Sequence, residues 1–282
     1  MDDRPIGMFD SGFGGLTVAR ALIDLLPGED LVYIGDTGRY PYGPRRLSEV
    51  AEFAQQITAK LVKEHGVKLV VVACNTAAAA ASLDRLAGEF GVPVVGVIEP
   101  GLRAALSATG TGRVGVIGTV GTIASGAYQQ AAQALQEAAG SRVDLTCAAC
   151  PGFVEFVERG ETSSDQVYVL AERLLAPIRT AKVDALLLGC THYPYLARTI
   201  SDVVVREVVL VSSADETAFD VASTLGGAGL ARERGAGSHK WISSGDVARF
   251  QELGRRLLGP ELDVVVPWEP TPPQVGHSEE RS

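Results

Sequence analysis

Short apolar runs alternate with longer amphipathic stretches along most of the chain. Runs such as RPIGMFD, KLVVVAC and DALLLGC are typical of buried strands, and they are far shorter than the roughly 20 apolar residues that cross a bilayer. Stretches such as GLTVARALIDLLP and LSEVAEFAQQITAKLVKEHG have their apolar residues at helical spacing. Because predicted strands and helices alternate, we expect an α/β fold with a mostly parallel sheet and a ligand site at the C-terminal ends of its strands.

The alternation starts again near Glu99, and VVVACNT in the first half has a counterpart, LLLGCTH, in the second. We therefore predict two similar α/β lobes with the active site in the cleft between them. The first lobe is predicted to contain residues 1–98 plus 211–268, and the second residues 99–210. Residues 269–282 lack hydrophobic periodicity and are predicted to form a disordered tail.

Composition narrows the class of protein. Of the 282 residues, 46% are hydrophobic and 21% are charged, which excludes a disordered or fibrous chain. The net charge is −9 and the basic residues are scattered, so nucleic acid is not expected as a primary partner. The start of the chain has no pattern of a secretory signal and no run is long enough to span a membrane, which predicts a cytoplasmic protein without a membrane partner.

Two cysteines, Cys74 and Cys190, each end an apolar strand just before a predicted helix. The N-terminus of a helix favours negative charge, so this position predicts a thiol pKa below the usual value of about 8.5. A single cysteine there is more often a small buried apolar residue, but two matched cysteines beside polar residues favour chemistry. Inversion of a stereocentre by proton exchange needs one base on each face of a planar intermediate, and two equivalent thiols suit that reaction.

Other polar residues occupy similar positions. Asp10 ends the first predicted strand before a glycine-rich turn, and His192 is the only histidine beside a candidate nucleophile. The alternative for Asp10 is a helix N-cap, and for His192 a structural role. Short polar or turn residues that could contact a small ligand are Ser11, Tyr42, Gly43, Asn75, Thr76 and Thr191.

No metal or cofactor is expected. Histidines and carboxylates show no metal-ligand spacing. The glycines at 110, 112 and 115 match G-x-G-x-x-G, but they precede a strand, whereas a dinucleotide site follows one. The lone C-x-x-C pair, Cys147 and Cys150, is interpreted as structural.

Several motifs together resemble those of glutamate racemases, a cofactor-independent family that supplies D-glutamate for peptidoglycan and thereby for cell-wall biogenesis and cell shape. The motifs occur in the order FDSGFGGLTVAR, YIGDTGRYPYGPRR, VVACNTA, VVGVIEPG, GVIGTVGTI, CPGFVEFVERG and LLLGCTHYPYL, between Ile6 and Val211. The resemblance implies two α/β lobes, a site between them, glutamate as the substrate, commonly a homodimer, and Cys74 and Cys190 as the two catalytic acid/bases.

The resemblance also implies roles for the neighbouring residues. Asp10 would assist Cys74, while His192 with Glu158 would assist Cys190. The Cys190 thiolate would remove the α-proton of L-glutamate, and Cys74 that of D-glutamate. The substrate-binding positions implied are Asp10, Ser11, Tyr42, Gly43, Asn75, Thr76, Thr191 and His192.

Three alternative functions are compatible with the residues. A racemase of the same two-cysteine superfamily could act on aspartate or another amino acid. A two-lobed protein could bind an amino acid without exchanging its α-hydrogen. A cysteine hydrolase is the third alternative, but two matched thiols and the lack of an ordered Cys/His/Asp set disfavour it.

Overall fold

A computed structural model describes residues 2–139, 143–204, 207–232 and 235–270. Its strands form two sheets, one of six strands and one of four, and every pairing among the described strands is parallel. The predicted α/β fold with parallel sheets is confirmed. From residue 271 onward, the predicted tail lies outside the described residues.

The six-stranded sheet has the strand order β10-β9-β2-β1-β3-β4. Its strands are β1 (Ile6–Asp10), β2 (Leu31–Gly35), β3 (Leu69–Val72), β4 (Val94–Gly96), β9 (His239–Ser243) and β10 (Val265–Pro267). All residues of β1, β2 and β3 are buried, which explains why these strands are apolar along their length, apart from Asp10 at the end of β1, instead of alternating. Asp10 lies opposite Gly35 in the register, so β1 and β2 end at the same edge of the sheet.

The four-stranded sheet has the order β6-β5-β7-β8. Its strands are β5 (Arg113–Gly118), β6 (Asp144–Ala149), β7 (Ala185–Gly189) and β8 (Val209–Val211). The central pair, β5 and β7, is buried except for Arg113, and Gly118 pairs with Gly189 at the C-terminal edge.

Helices connect the strands. In the part of the chain that includes the first sheet they are α1 (Leu16–Leu25), α2 (Leu47–His65), α3 (Asn75–Ala80), α4 (Leu83–Phe90), α12 (Ala214–Gly227) and α13 (Val247–Leu258). Those between β4 and β8 are α5 (Ile98–Ala108), α6 (Val120–Ala124), α7 (Ala127–Ala139), α8 (Phe153–Glu158), α9 (Asp165–Leu174), α10 (Ala176–Ala181) and α11 (Ala197–Val204), and a 3₁₀ turn spans Tyr193–Leu196. None of the helices in the described ranges has the length and apolar character needed to cross a membrane.

The chain passes from the first sheet to the second after β4 and returns after β8. The returning helix α12 packs against α1 and α5, so it contacts elements on both sides of the crossing. We propose the predicted division into residues 1–98 plus 211–268 and residues 99–210 as the two lobes, each built around one sheet. Cys74 and Cys190 follow the C-terminal ends of strands in the first and the second sheet, respectively.

Candidate active site

A cavity of about 620 Å³ opens between the C-terminal ends of the two sheets. Its walls contain Cys74, which follows β3 of the first sheet, and Cys190, which follows β7 of the second. Nine of the predicted site residues line it: Ser11, Tyr42, Gly43, Cys74, Asn75, Thr76, Cys190, Thr191 and His192. The structure therefore brings together, from distant parts of the chain, most of the residues that the sequence singled out.

Cys74 is buried immediately before α3, and its Sγ lies 3.7 Å from Ser11 Oγ. Burial, with a smaller effect from the charge of Asp10, raises the pKa of the Cys74 thiol to about 11. The predicted lowering of this pKa is wrong. The backbone N–H of Ala77 in the following helix acts in the predicted direction, but removal of the thiolate from water has the larger effect.

Cys190 is also buried, and its Sγ lies 4.0 Å from His192 Nδ1. Burial raises the pKa of the Cys190 thiol, again opposite to the predicted direction, although the N–H groups of His192 and Tyr193 oppose the shift. The nearby Cys74 and Asp10 add to the increase because a second negative charge is unfavourable beside the first. Burial therefore favours the protonated form of both thiols.

Asp10 is fully buried at the end of β1, behind the cavity wall. One carboxylate oxygen accepts from the Gly12 backbone N–H at 2.8 Å, and the other accepts from Thr191 Oγ1 at 3.3 Å. Burial raises the pKa of Asp10, while the charge of His192 and these hydrogen bonds lower it. Asp10 therefore contacts the residue next to Cys190 as well as influencing Cys74.

His192 lies between Cys190 and the carboxylate of Glu158. Its Nε2 is 3.6 Å from Glu158 Oε1, and its ring packs edge-on against Phe13 with 5.2 Å between ring centroids. Glu158, at the C-terminal end of α8, is also 3.6 Å from the exposed Arg249 and lines a neighbouring cavity, not the one that holds the thiols. Glu158 is thus placed to orient His192 but not to line the main cavity.

Asn75 and Thr76 connect the first sheet to helices of the second. The Asn75 amide nitrogen donates to Tyr128 Oη at 2.9 Å. Thr76 Oγ1 lies 3.0 Å from Thr119 Oγ1 and 3.1 Å from Thr122 Oγ1. The sequence patterns do not single out Tyr128, Thr119 or Thr122 individually. A signal was present for Thr119, because it lies between strand β5 and helix α6 at the N-cap position, as Cys74 does before α3.

Tyr42 and Gly43 form another wall of the cavity. The Tyr42 hydroxyl donates to the buried carboxylate of Asp36. The Gly43 carbonyl accepts from the backbone N–H of Gly121 in α6 at 2.9 Å. This segment therefore contacts Asp36, which follows β2 of the first sheet, and Gly121 in α6, which follows β5 of the second.

All four cysteines have free thiols. Cys150 is buried and lines the cavity, whereas Cys147 does not. Burial raises the pKa of Cys147 to about 11 and that of Cys150 to about 12. The described residues contain no group of three or more His, Cys, Asp or Glu side chains that could hold a metal ion.

Two parallel-sheeted units with a shared cavity at their strand ends define the class of this protein, and sequence comparison agrees. Residues 14–219 match the Asp/Glu/Hydantoin racemase family, and the chain belongs to this family of isomerases. The chain is 52% identical over 264 residues to glutamate racemase from Acidothermus cellulolyticus, covering 93% of this chain and 98% of that protein. It is 48% identical over 269 residues to glutamate racemase from Mycobacterium tuberculosis, covering 95% and 97%.

Solved structures of glutamate racemases are also similar to this chain. A glutamate racemase isoform from Bacillus anthracis superposes with a TM-score of 0.87 at 38% identity and covers 97% of this chain and 99% of its own. Glutamate racemase from Francisella tularensis in complex with D-glutamate has a TM-score of 0.83 at 30% identity and covers 96% and 98%.

Proposed function

We propose that this protein interconverts L-glutamate and D-glutamate by a cofactor-independent proton transfer between Cys74 and Cys190. The observation that carries the proposal is the presence of two thiols, one from each sheet, on the walls of a single cavity. Support for glutamate as the substrate comes from relatives that bear this name over nearly the whole chain. The two-base reaction requires two groups on opposite faces of one carbon.

In the proposed reaction, the Cys190 thiolate takes the α-proton of L-glutamate and leaves the electron pair on the α-carbon. The Cys74 thiol then donates its proton to the opposite face of the planar intermediate. D-glutamate is formed, Cys190 is now a thiol and Cys74 a thiolate. The reverse reaction starts from this state, so no external acid or base is consumed.

The raised pKa values disfavour the thiolate that the reaction needs. We propose that the bound substrate favours its formation. A positively charged ammonium group close to both sulfurs favours the thiolate, because an opposite charge offsets the cost of desolvation. Asp10 influences Cys74 electrostatically and His192 lies 4.0 Å from Cys190, so each is a candidate to hold the proton released when its thiol ionises. Glu158 would keep the His192 ring in position through its contact at Nε2.

Charge on the α-carboxylate must also be stabilised as the proton leaves. Donors already held in place in a water-poor site do this without reorganisation. Thr76 and Thr191 line the cavity, and Thr191 is oriented by Asp10. The Asn75 Oδ1 atom is buried and has no hydrogen-bond partner in the described part of the chain, so it is available to accept from the substrate ammonium group.

The decisive test is α-hydrogen exchange in D₂O, followed by NMR, with each glutamate enantiomer and no added cofactor. We expect deuterium at the α-carbon together with loss of optical rotation. Binding without exchange would instead support a non-catalytic amino-acid-binding protein. Faster turnover of aspartate than of glutamate would contradict the assigned substrate.

Replacement of either thiol tests the two-base scheme. Cys74→Ser and Cys190→Ser should each lower kcat for racemisation by at least about 100-fold, because a hydroxyl is a far weaker acid than a thiol. Partial proton exchange from one enantiomer should survive in each variant, measured by deuterium incorporation. Cys147→Ser is the matched control and should keep its activity, since Cys147 does not line the cavity. Near-normal turnover by either active-site variant would contradict the scheme.

We also propose that the protein is a cytoplasmic homodimer that supplies D-glutamate for peptidoglycan, with no nucleic acid as a primary partner. Sedimentation equilibrium tests the dimer, and a monomer at micromolar concentration would contradict it. Growth of a D-glutamate-requiring bacterium after expression of this chain tests the cellular role. Failure of an active, well-expressed protein to restore growth would contradict that role.

A further inference from the structure

The carboxylate of Asp36 lies outside the catalytic cavity, at the C-terminal end of β2, and is completely buried. It receives hydrogen bonds from three side chains. Arg39 Nε donates at 2.7 Å, Ser244 Oγ donates at 2.5 Å, and the Tyr42 hydroxyl donates to the same oxygen as Arg39. A buried carboxylate with this many donors is a fixed anchor, because each bond lost would leave a buried polar group unpaired.

The donors come from different elements. Arg39 extends to α2, where its Nη1 donates to Gln56 Oε1 at 2.6 Å and its guanidinium lies 4.1 Å from the centre of the Phe53 ring. Ser244 follows strand β9, and its Oγ accepts from the Gly38 backbone N–H at 2.9 Å. The segment from residue 37 to residue 45 is thus held on one side by α2 and on the other by the loop after β9.

This segment forms part of the proposed substrate site. Tyr42 and Gly43 line the cavity. Gly43 also meets the second sheet's helix α6, and there is little space at that contact: a Cβ added at Gly43 would lie 2.9 Å from Thr119 Cβ. A small shift of the segment would therefore change both the cavity wall and its contact with Thr119.

We propose that Asp36 is a positioning residue for substrate binding, which holds the Tyr42–Gly43 wall in place through Arg39, Tyr42 and Ser244. The inference rests on the proposed function for the identity of the substrate. Asp36 does not line the cavity, so it acts through Tyr42 and Gly43 and not by contact. An interaction that holds a binding wall serves the substrate and the transition state alike, and its loss therefore raises KM more than it lowers kcat.

A comparison is available at the other end of the same strand. Asp30 directly precedes β2, and its carboxylate also binds a serine and an arginine: Ser238 Oγ at 2.9 Å and Arg232 Nη1 at 2.8 Å. Asp30 lies at the opposite end of β2 from the cavity. Asp36→Ala and Asp30→Ala each remove a carboxylate that is bonded to a serine and an arginine, but only Asp36 is also bonded to a residue of the substrate wall, Tyr42.

Kinetics with glutamate are the first measurement. We expect Asp36→Ala to raise KM about tenfold, the size of one hydrogen bond to a charged group, with kcat within about threefold of the parent. Asp36→Asn should recover most of the loss, because its amide can accept from Arg39 and Tyr42 while it donates to Ser244. Ser244→Ala should raise KM by about threefold, because it removes one hydrogen bond to Asp36. This variant tests the same inference if Asp36→Ala does not fold. Asp30→Ala should lower the unfolding temperature and leave KM unchanged.

Hydrogen exchange of the backbone amides, followed by mass spectrometry, tests the same inference without any substrate. Asp36→Ala or Ser244→Ala should speed exchange in residues 37–46, and Asp30→Ala should not. If the parent protein does not racemise glutamate, the proposed function is wrong while the exchange result still decides the role of Asp36. Equal KM values and equal exchange in residues 37–46 for all variants would overturn the inference.

Discussion

Gly14 shows how closely the two halves of the site approach each other at the level of single residues. A Cβ at this position would lie 2.4 Å from Thr191 Oγ1 and 2.6 Å from His192 Nδ1. Both distances are shorter than a van der Waals contact, and both neighbours are buried. Only a residue without a side chain lets the turn after β1 pack against the segment that carries Cys190.

We therefore expect Gly14→Ala to lower kcat/KM for racemisation by about 100-fold, the effect of a displacement of about 1 Å in a catalytic group. Steady-state kinetics with both enantiomers is the measurement. Gly226→Ala, in α12, is the control: its Cβ would meet nothing within 4 Å, so activity should persist and stability should increase by about 0.5–1 kcal/mol. Full activity of Gly14→Ala would show that the contact with Thr191 and His192 is not needed.

At the scale of elements, the N-termini of α3 and α6 border the cavity. The hydroxyl groups of Thr76 and Thr119 line it there. Thr119 caps α6 by accepting from the Thr122 N–H at 3.3 Å, and its hydroxyl also lies 3.0 Å from Thr76 Oγ1 across the cleft. Ser164 caps α9 in the same way, accepting from the Val167 N–H at 3.3 Å, but does not line the cavity. The two caps accept the same backbone hydrogen bond, but only the Thr119 hydroxyl also bonds to the hydroxyls of Thr122 and Thr76.

Replacement of each cap by alanine separates helix stability from substrate binding. Thr119→Ala and Ser164→Ala should each lower the free energy of unfolding by about 1 kcal/mol, measured by urea denaturation. Only Thr119→Ala should also raise KM for glutamate, by about threefold to tenfold for one lost hydrogen bond. A similar KM increase in Ser164→Ala would indicate that general loosening of the second lobe is responsible.

At the scale of the whole molecule, the buried thiols should make the free energy of unfolding decrease at alkaline pH. Burial raises the pKa of Cys74 to about 11 and that of Cys150 to about 12, from an ordinary value of 9.0. In the unfolded chain these thiols release their protons near pH 9, while the folded protein still holds them. Above pH 9 the unfolded state therefore binds fewer protons, and the free energy of unfolding falls as pH rises.

We expect each buried thiol to reduce the free energy of unfolding by about 1 kcal/mol between pH 8 and pH 10. Urea denaturation at the two pH values measures the change. The Cys150→Ala variant should be less stable at pH 8 and should lose less stability on going to pH 10 than the parent does. An identical pH dependence in the two proteins would show that Cys150 ionises equally easily when folded and unfolded.

The sequence by itself determined the order of strands and helices and the positions of the two thiols at strand ends. These features depend on local hydrophobic periodicity, so they could be predicted without knowledge of the packing. Tertiary structure alone decided the partners of the site residues: Thr191 bonds to Asp10 across 181 positions, and Ser244 to Asp36 across 208. It also reversed the expected direction of the thiol pKa shifts, because burial depends on how the two sheets pack and not on the residues next to each cysteine.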